Sequence, residues 1–257
     1  MEIEWSRLKA REITALGKQD AIAFVPIGAT EQHGPHLPVM TDSRLATEVS
    51  HRAARIVQKR EPVVVTPSIW CGMSEHHMSL GGTITLDFAT MNAVVRCVVK
   101  SLIRHGFRRI FVLNGHGGNT MALEPIIAEL TIEHRIPLAY STYWNVAEKV
   151  FATILEKQKN VLHACEAETS MMLAVVPELI DRDELSQMHG PYITGLSAIQ
   201  GANPGAYRWR QIGTRSGNGV IGDAGSATPE KGERLLDAAA QALADTVLHK
   251  EFWSAPI

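Results

Sequence analysis

AIAFVPIGATEQHGPHLPVMTD, Ala21 to Asp42, runs an apolar segment straight into a loop rich in metal-type side chains. Its first part, AIAFVPI, is short and almost wholly apolar, the pattern of a strand buried on both faces. The Gly- and Pro-constrained turn that follows carries Glu31, His33 and Asp42. A carboxylate, an imidazole and a second carboxylate on one loop are groups that a zinc-like or manganese-like ion prefers. Position supports the same reading, because ligands of open α/β sheets gather beyond the carboxyl ends of the strands. RRIFVLNG (108–115) repeats the arrangement by leading directly into His116 within NGHGGN. Two strand ends that each deliver a ligand imply one shared site. His36 is either a further ligand or a residue that caps or solvates the turn. Asp42 precedes a helical pattern, so its default role is an N-cap. Thr41 or Ser43 in that role would free its carboxylate.

Working outward, strands and helices alternate. Leu45, Val49, Ala53 and Ile56 recur at helical spacing between Ser43 and Arg60. VVVTPSIW (63–70) reads as the next strand. FATMNAVVRCVVKSLIRHG (88–106) reads as a helix closed by His105 and Gly106. RRIFVLNG is a third strand, Asn119 to Arg135 a helix, and PLAYSTYW (137–144) a fourth strand. Helices are expected over Val146–Lys157, Ala164–Ile180 and Pro229–Leu248. This alternation predicts a parallel sheet with helices on both faces. The stretch from about 183 to 225 is rich in Gly, Pro and Ser and reads as a covering element or subunit contact, whose Tyr192, Tyr207 and Trp209 argue against disorder.

The chain has 257 residues, 45% hydrophobic and 20% charged, which fits one large domain over 1–257 with a sizeable core. A formal net charge of −2 gives no reason to expect nucleic acid or an anionic membrane as partner. The apolar runs fall far short of the roughly 20 residues of a membrane span. The N-terminus lacks the apolar core of a signal peptide, so a cytoplasmic location is the expectation. Three cysteines, Cys71, Cys97 and Cys165, lack CxxC spacing, which argues against a disulfide framework or a thiolate zinc site. Cys97 reads as a small core residue.

Three further blocks bear on chemistry. In NGHGGN, Gly115, Gly117 and Gly118 let backbone approach a ligand, and the free N–H groups of the next helix face the same place. The segment lacks a P-loop Gly-Lys-Ser/Thr and is not GxGxxG, which argues against nucleotide binding. GMSEHHMSLGGT (72–83) supplies Glu75, His76 and His77, of which one is expected to reach the pocket, since adjacent side chains of an extended loop diverge. HACEAETSMMLAVVPELI (163–180) holds His163 and Glu166 three apart and Glu168 pointing elsewhere.

Together these blocks resemble the creatininase (creatinine amidohydrolase) family. The resemblance rests on PIGATEQHGPHLPVMTD, the GGTITL turn, FVLNGHGGN, the Tyr143–Trp144 pair, HACEAETSMMLA and the closing GVIGDA…EKGERLL, in the family's order. It implies a three-layer α/β/α sandwich with a mostly parallel central sheet, one or two divalent metals per subunit (Zn, Mn or Fe), and a homohexamer. It further implies Glu31 and His116 as ligands of one metal, His33 of the other, and Asp42 as the bridging carboxylate. His163 corresponds to a catalytic proton-transfer histidine, and Glu168 to a group beside the metals that ligates one of them. Trp144 corresponds to a substrate-side tryptophan, and His77, Gly117 and Gly118 are taken with it as substrate contacts. Two departures stand out. Where creatininases carry a metal-ligating glutamate, two residues after the histidine of N-G-H, this chain has Gly118. Where they carry a tryptophan four residues before the catalytic histidine, it has Lys159. The second site then borrows Glu168 or Glu166, or is weak, and the chain is expected to be a member other than a true creatininase. Members with N-G-H-G-G-N resemble formamide hydrolases of pyrimidine and riboflavin-type metabolism, a peptide-trimming protease and an inosose hydrolase.

The expected function is metal-dependent hydrolysis of a small polar substrate at the C–N bond of a cyclic amide or formamide. A metal at Glu31, Asp42 and His116 would bring the pKa of its water to roughly 7, and His163 would pass a proton to the leaving nitrogen. The alternatives are a hydrolase that opens a ketone or lactone sugar ring on the same centre, a non-catalytic metal- or nucleotide-binding module, and a thiol hydrolase using Cys165. The loop from Leu196 to Arg215 would decide between amide and sugar ring.

Overall fold

The computed structural model describes residues 2–191 and 208–254. Four parallel strands, β1 (Ile22–Ile27), β2 (Val63–Val65), β3 (Arg109–Asn114) and β4 (Leu138–Thr142), lie in the order β2-β1-β3-β4. Ile22 pairs with Val63 on one side and Arg109 on the other, and Ile110 pairs with Leu138. β1 is buried along its whole length, as its continuous apolar run requires. Ile22 and Phe24 enter one core and Ala23, Val25 and Ile27 the other, because successive side chains of a strand point to opposite faces. The first core is closed by α2 (Thr41–Val57), α5 (Glu148–Ile154), α6 (Glu166–Val175) and α7 (Pro229–Leu248). The second is closed by α1 (Ala10–Lys18), α3 (Phe88–Arg104) and α4 (Thr120–His134). The parallel sheet with helices on both faces is what the alternation predicts, and it makes the three-layer α/β/α sandwich that the resemblance implies. Among the described residues no helix is long and apolar enough to cross a membrane.

Several elements differ from expectation for identifiable reasons. β2 stops at Val65 instead of Trp70. Pro26 has no N–H to give, and pairing with β1 resumes only where Ile69 N donates to the Pro26 carbonyl at 2.9 Å. α6 ends at Val175, because Pro177 pushes Val176 out of helical geometry (φ −144°, ψ 59°). α1 was not anticipated. Cys97 is exposed, not a core residue: it lies off the Met91–Val95–Val99–Leu102 stripe that α3 buries. In the covering segment, the described residues form short 3-10 turns (Leu185–Gln187, Ile212–Thr214) and isolated bridges, His163↔Ile221 and His189↔Asp223. Tyr192 and Tyr207 lie outside the described residues.

The chain leaves β1 through α2 to reach β2 on one side, while β3 lies on the other side of β1. The carboxyl ends of β1 and β3 therefore flank the point where the strand order reverses, where such sheets hold ligands. The first turn of α2 is seated directly on both strand ends. A Cβ at Gly28 would lie 2.3 Å from Ser43 N, and one at Gly115 would lie 2.3 Å from the Asp42 carbonyl oxygen. That close approach delivers Asp42 to the switch point.

Candidate metal centre

Asp42 lies within the first turn of α2 and does not cap it. The N-cap is Met40, with no side-chain cap, while Thr41 and Ser43 donate their hydroxyls to the carbonyls of Pro38 and Met40. The Asp42 carboxylate is thus free to face the strand ends. Its Oδ1 lies 3.0 Å from His33 Nε2 and its Oδ2 lies 3.0 Å from His116 Nδ1. Glu31 Oε1 lies 3.2 Å from His116 Nδ1, and Glu168 Oε1 lies 3.8 Å from His33 Nε2. Besides Glu31–His33–His163 and Glu31–His76–His77, whose ligand atoms are equally close, two triads result, Glu31–Asp42–His116 and His33–Asp42–Glu168, and in each the ligand atoms all lie within 4.8 Å of one another. Asp42 belongs to both.

The imidazoles are held with one nitrogen, the one that would ligate an ion, turned inward. His33 Nδ1–H donates to the Glu31 carbonyl at 3.1 Å, and His116 Nε2–H donates to the Met73 carbonyl at 3.1 Å. A carbonyl acceptor on the outer nitrogen is the usual support for a metal-ligating histidine. All five side chains are buried; both Glu31 oxygens, Asp42 Oδ2, Glu168 Oε2 and His33 Nε2 make no aligned hydrogen bond, and Asp42 Oδ2 and His33 Nε2 have only their ion-pair contacts. Burial works against charge on the imidazoles, yet Asp42 and Glu168 beside His33, and Glu31 and Asp42 beside His116, raise both histidines' pKa well above the ordinary value. Burial raises Glu31's pKa against the pull of His116. Without an ion the two imidazolium rings carry the charge that offsets the three carboxylates; a divalent ion would take the place of those protons against four carboxylate oxygens that lack hydrogen-bond donors. Hard oxygen and imidazole donors in this set fit divalent cations.

Around this core the structure separates the remaining candidates. Glu166 is not a ligand: its carboxylate accepts from Glu156 N, Lys157 N and Lys231 Nζ, and it faces away from the site. His36 is not one either, since its Nε2 lies 2.9 Å from Thr169 Oγ1. The expectation that only one of His76 and His77 reaches the pocket is corrected, because Glu75–Leu80 is a 3-10 helix, not an extended loop, and both rings line the cavity. His77 is buried, accepts from Gln32 Nε2 at 2.7 Å, and its Nε2 lies 3.3 Å from Glu31 Oε1, which ties it to a ligand more than to open space. His163 stands outside the two Asp42 triads. Its ring packs on those of His33 and His77 with centroids 4.3 and 4.4 Å away, and its Nδ1 lies 3.6 Å from Glu31 Oε1. Burial, then repulsion from His33, drives its pKa well below the usual histidine value, so it is held neutral. Cys165 is fully buried and accepts from Leu162 N, and burial pushes its thiol up to about 12, which removes the thiolate a nucleophile needs.

Sequence reasoning passed over three positioning residues. Gln32, between Glu31 and His33, is buried and contacts both His77 and His163. Asn114 and Asn119 are buried; Asn114 Oδ1 accepts from His116 N, and Asn119 joins Gly28 O to Met73 N. Only their places in E-Q-H and N-G-H-G-G-N hinted at them.

A cavity of about 910 Å3 opens above the centre, lined by Glu31, Asp42, His116, Gly117, Gly118, Trp144, His163 and Glu168 together with Arg208 to Arg210 of the covering segment. A Cβ at Gly117 would meet nothing within 4 Å, whereas one at Gly118 would lie 2.3 Å from His116 Nε2 and 2.5 Å from the Met73 carbonyl oxygen. Position 118 therefore has no room for a side chain while His116 keeps this pose.

The family model described as creatininase, creatinine amidohydrolase, matches residues 6–247. Creatinine amidohydrolase of Pseudomonas putida is 29% identical over 96% of this chain and 94% of its own length. The mycofactocin precursor peptide peptidase of Mycobacterium ulcerans (strain Agy99) is 31% identical over 83% of this chain and 79% of its own. A solved structure described as "Creatininase Mn" superposes with a TM-score of 0.82 at 27% identity, covering 98% of this chain and 99% of that one.

Proposed function

The chain belongs to the creatininase family and is a hydrolase of that family, and we propose that it cleaves a C–N bond in a cyclic amide or formamide of a small polar substrate. The observation that carries this reading is the Asp42 carboxylate, one oxygen facing His33 and the other His116, each pair completed by a second buried carboxylate. Glu31, Asp42 and His116 would hold one divalent ion, and His33, Asp42 and Glu168 a second, with zinc or manganese suited to such donors. Bound there, such ions supply water acidified to a pKa of roughly 7 and a polarised carbonyl. His77 and Gln32 keep Glu31 and His163 in place. His163, neutral at the cavity wall, takes a proton at Nδ1 and gives it to the departing nitrogen. Its Nε2 lies 2.9 Å from the Gln32 carbonyl oxygen, an acceptor that steadies the imidazolium. Trp144 and the exposed backbone at Gly117 line the space the substrate would fill.

Metal analysis of the purified protein, followed by a screen of cyclic amides, formamides and keto-sugars, tests the proposal. Retention of divalent metal with metal-dependent amide hydrolysis is expected. Opening of a keto-sugar ring without amide turnover would assign the alternative reaction to the same centre, and a protein that retains no divalent metal would overturn both.

A further inference from the structure

Three arginines line the same cavity on the wall built after residue 207: Arg208, Arg210 and Arg215. The turn Ile212–Thr214 seats this wall, with Ile212 buried and its carbonyl accepting from Arg215 N and Ser216 N at 2.8 and 2.9 Å. Arg215 is half-buried, and its Nε is shielded from water without a hydrogen-bond partner. Arg210 Nη2 reaches only the Thr214 carbonyl, at 3.4 Å. Among the described residues none of the three enters an ion pair, whereas Arg44, Arg52, Arg96 and Arg109 all do. The two other acidic side chains of the lining, Glu75 and Asp87, are exposed, and the Asp87 carboxylate accepts from Thr90 N.

Arg210 Nη2 reaches the Thr214 carbonyl, one residue before Arg215, and both side chains line one cavity, so the two cations share one wall; burial, then repulsion from Arg210, lowers the pKa of Arg215. Arg215 also repels a proton on His76, whose ring stacks on that of His116 at 5.6 Å. The arginine wall is therefore adjacent to the metal-type side chains across one continuous space. A partly desolvated guanidinium beside another cation, with no carboxylate to offset it, is unfavourable by itself. An oxyanion offsets both charges, and the planar guanidinium fork matches a carboxylate or a phosphate.

We propose that the substrate carries an anionic oxygen group, a carboxylate or a phosphate, which Arg215 and Arg210 bind while the scissile amide faces Glu31, Asp42 and Glu168. The proposal rests on reading the cavity as a hydrolytic metal site. It also fixes polarity along the cavity, with the anion at the arginine wall and the leaving nitrogen near His163.

Calorimetric titration with inorganic phosphate and with succinate tests the anion site, on the protein as purified and after chelator treatment, for the parent, Arg215→Gln and Arg210→Gln. The chelated protein should bind at least one of these anions, and each variant should lose about tenfold in affinity, the equivalent of one charged hydrogen bond. Metal content and circular dichroism of the variants should match the parent. Equal affinity in parent and variants, or no binding of either anion to the parent, would overturn the proposal. Should Arg215→Gln misfold, Arg210→Gln decides alone. Turnover of N-formylglycine, O-phospho-N-formylethanolamine and neutral N-formylethanolamine then separates carboxylate from phosphate. A charged formamide should be preferred in kcat/KM by about tenfold or more, with the preference lost in Arg215→Gln. Equal turnover of all three would overturn the anionic assignment. Failure to hydrolyse any of them with the anion titration positive would instead count against amide hydrolysis and leave the arginine site standing.

Discussion

Lys231 Nζ donates to Glu166 Oε1 across 2.8 Å and ties α7 to α6 behind the cavity, two residues from a glutamate with an entirely different environment. Glu166 is saturated by Lys231 and two backbone N–H groups, whereas Glu168 Oε2 is buried without a partner. The two carboxylates should therefore respond oppositely to removal. Glu166→Ala should lower unfolding stability by about 2 kcal/mol, because it takes the acceptor from two backbone N–H groups and leaves Lys231 with only the exposed Glu156 and the Ser226 carbonyl, while metal content stays near parental. Glu168→Ala should cost metal and little stability of the chelated protein. Denaturant melts and metal analysis of both variants check this; loss of metal from the Glu166 variant alone would refute it.

Asp42→Ala should deplete metal more completely than His33→Ala. The first change breaks both triads, and the second leaves Glu31, Asp42 and His116 intact. Elemental analysis after identical purification would show residual metal in the His33 variant and almost none in the Asp42 variant. Equal content in the Asp42 variant and the parent would sink the shared-carboxylate reading.

His163→Ala should leave metal near parental and cut kcat by about 10²–10⁴-fold, the usual worth of a positioned acid–base group. It should also remove one ionisation from the rate profile. Metal loss in this variant would make His163 a ligand, in keeping with its place beside Glu31 and His33.

Gly118→Ala should weaken metal binding by about 10–100-fold, the usual effect of disturbing the surroundings of a ligand. The added Cβ would lie 2.3 Å from His116 Nε2 and force the ring to move. Gly117→Ala meets nothing within 4 Å and should bind metal as the parent does. By the same geometry a glutamate at 118 would not act as an extra ligand without displacing His116. Equal affinity across both variants would show that the ring relaxes freely.

His36 supplies a pH dependence. Burial, then repulsion from His33, lowers its pKa to about 4, below the ordinary histidine value near 6.5. The unfolded state therefore binds more protons between those limits. The stability this neutral, Thr169-bonded ring contributes is complete above the unfolded value and is lost as pH falls towards the folded one. Against His36→Gln, the chelated parent should lose about 2 kcal/mol more between pH 7 and pH 5. Parallel pH profiles of the two would rule this out.

The alternation of apolar runs and amphipathic segments was sufficient for the layered parallel sheet, because strand and helix periodicity are local properties of the chain. The same local logic put Glu31, His33 and His116 just beyond strand ends, where ligands of such sheets collect. The length of β2, the end of α6 and the exposure of Cys97 were misread, since each depends on what neighbouring elements offer: a missing N–H at Pro26, a proline at 177, a core that ends before the far side of α3. Orientation was beyond the sequence altogether. Whether Asp42 caps its helix or joins two histidines follows from how closely α2 seats on Gly28 and Gly115. Glu166 is turned from the cavity by Lys231, 65 residues away, and by the backbone N–H groups of Glu156 and Lys157, whereas Glu168 faces it with one oxygen that lacks a donor. The arginine wall likewise meets the metal-type side chains only because the turn at Ile212 packs against Glu75–Leu80. Composition and spacing name the groups a site draws on; long-range packing selects which of them converge, because burial, charge and distance are set by residues far apart in the chain.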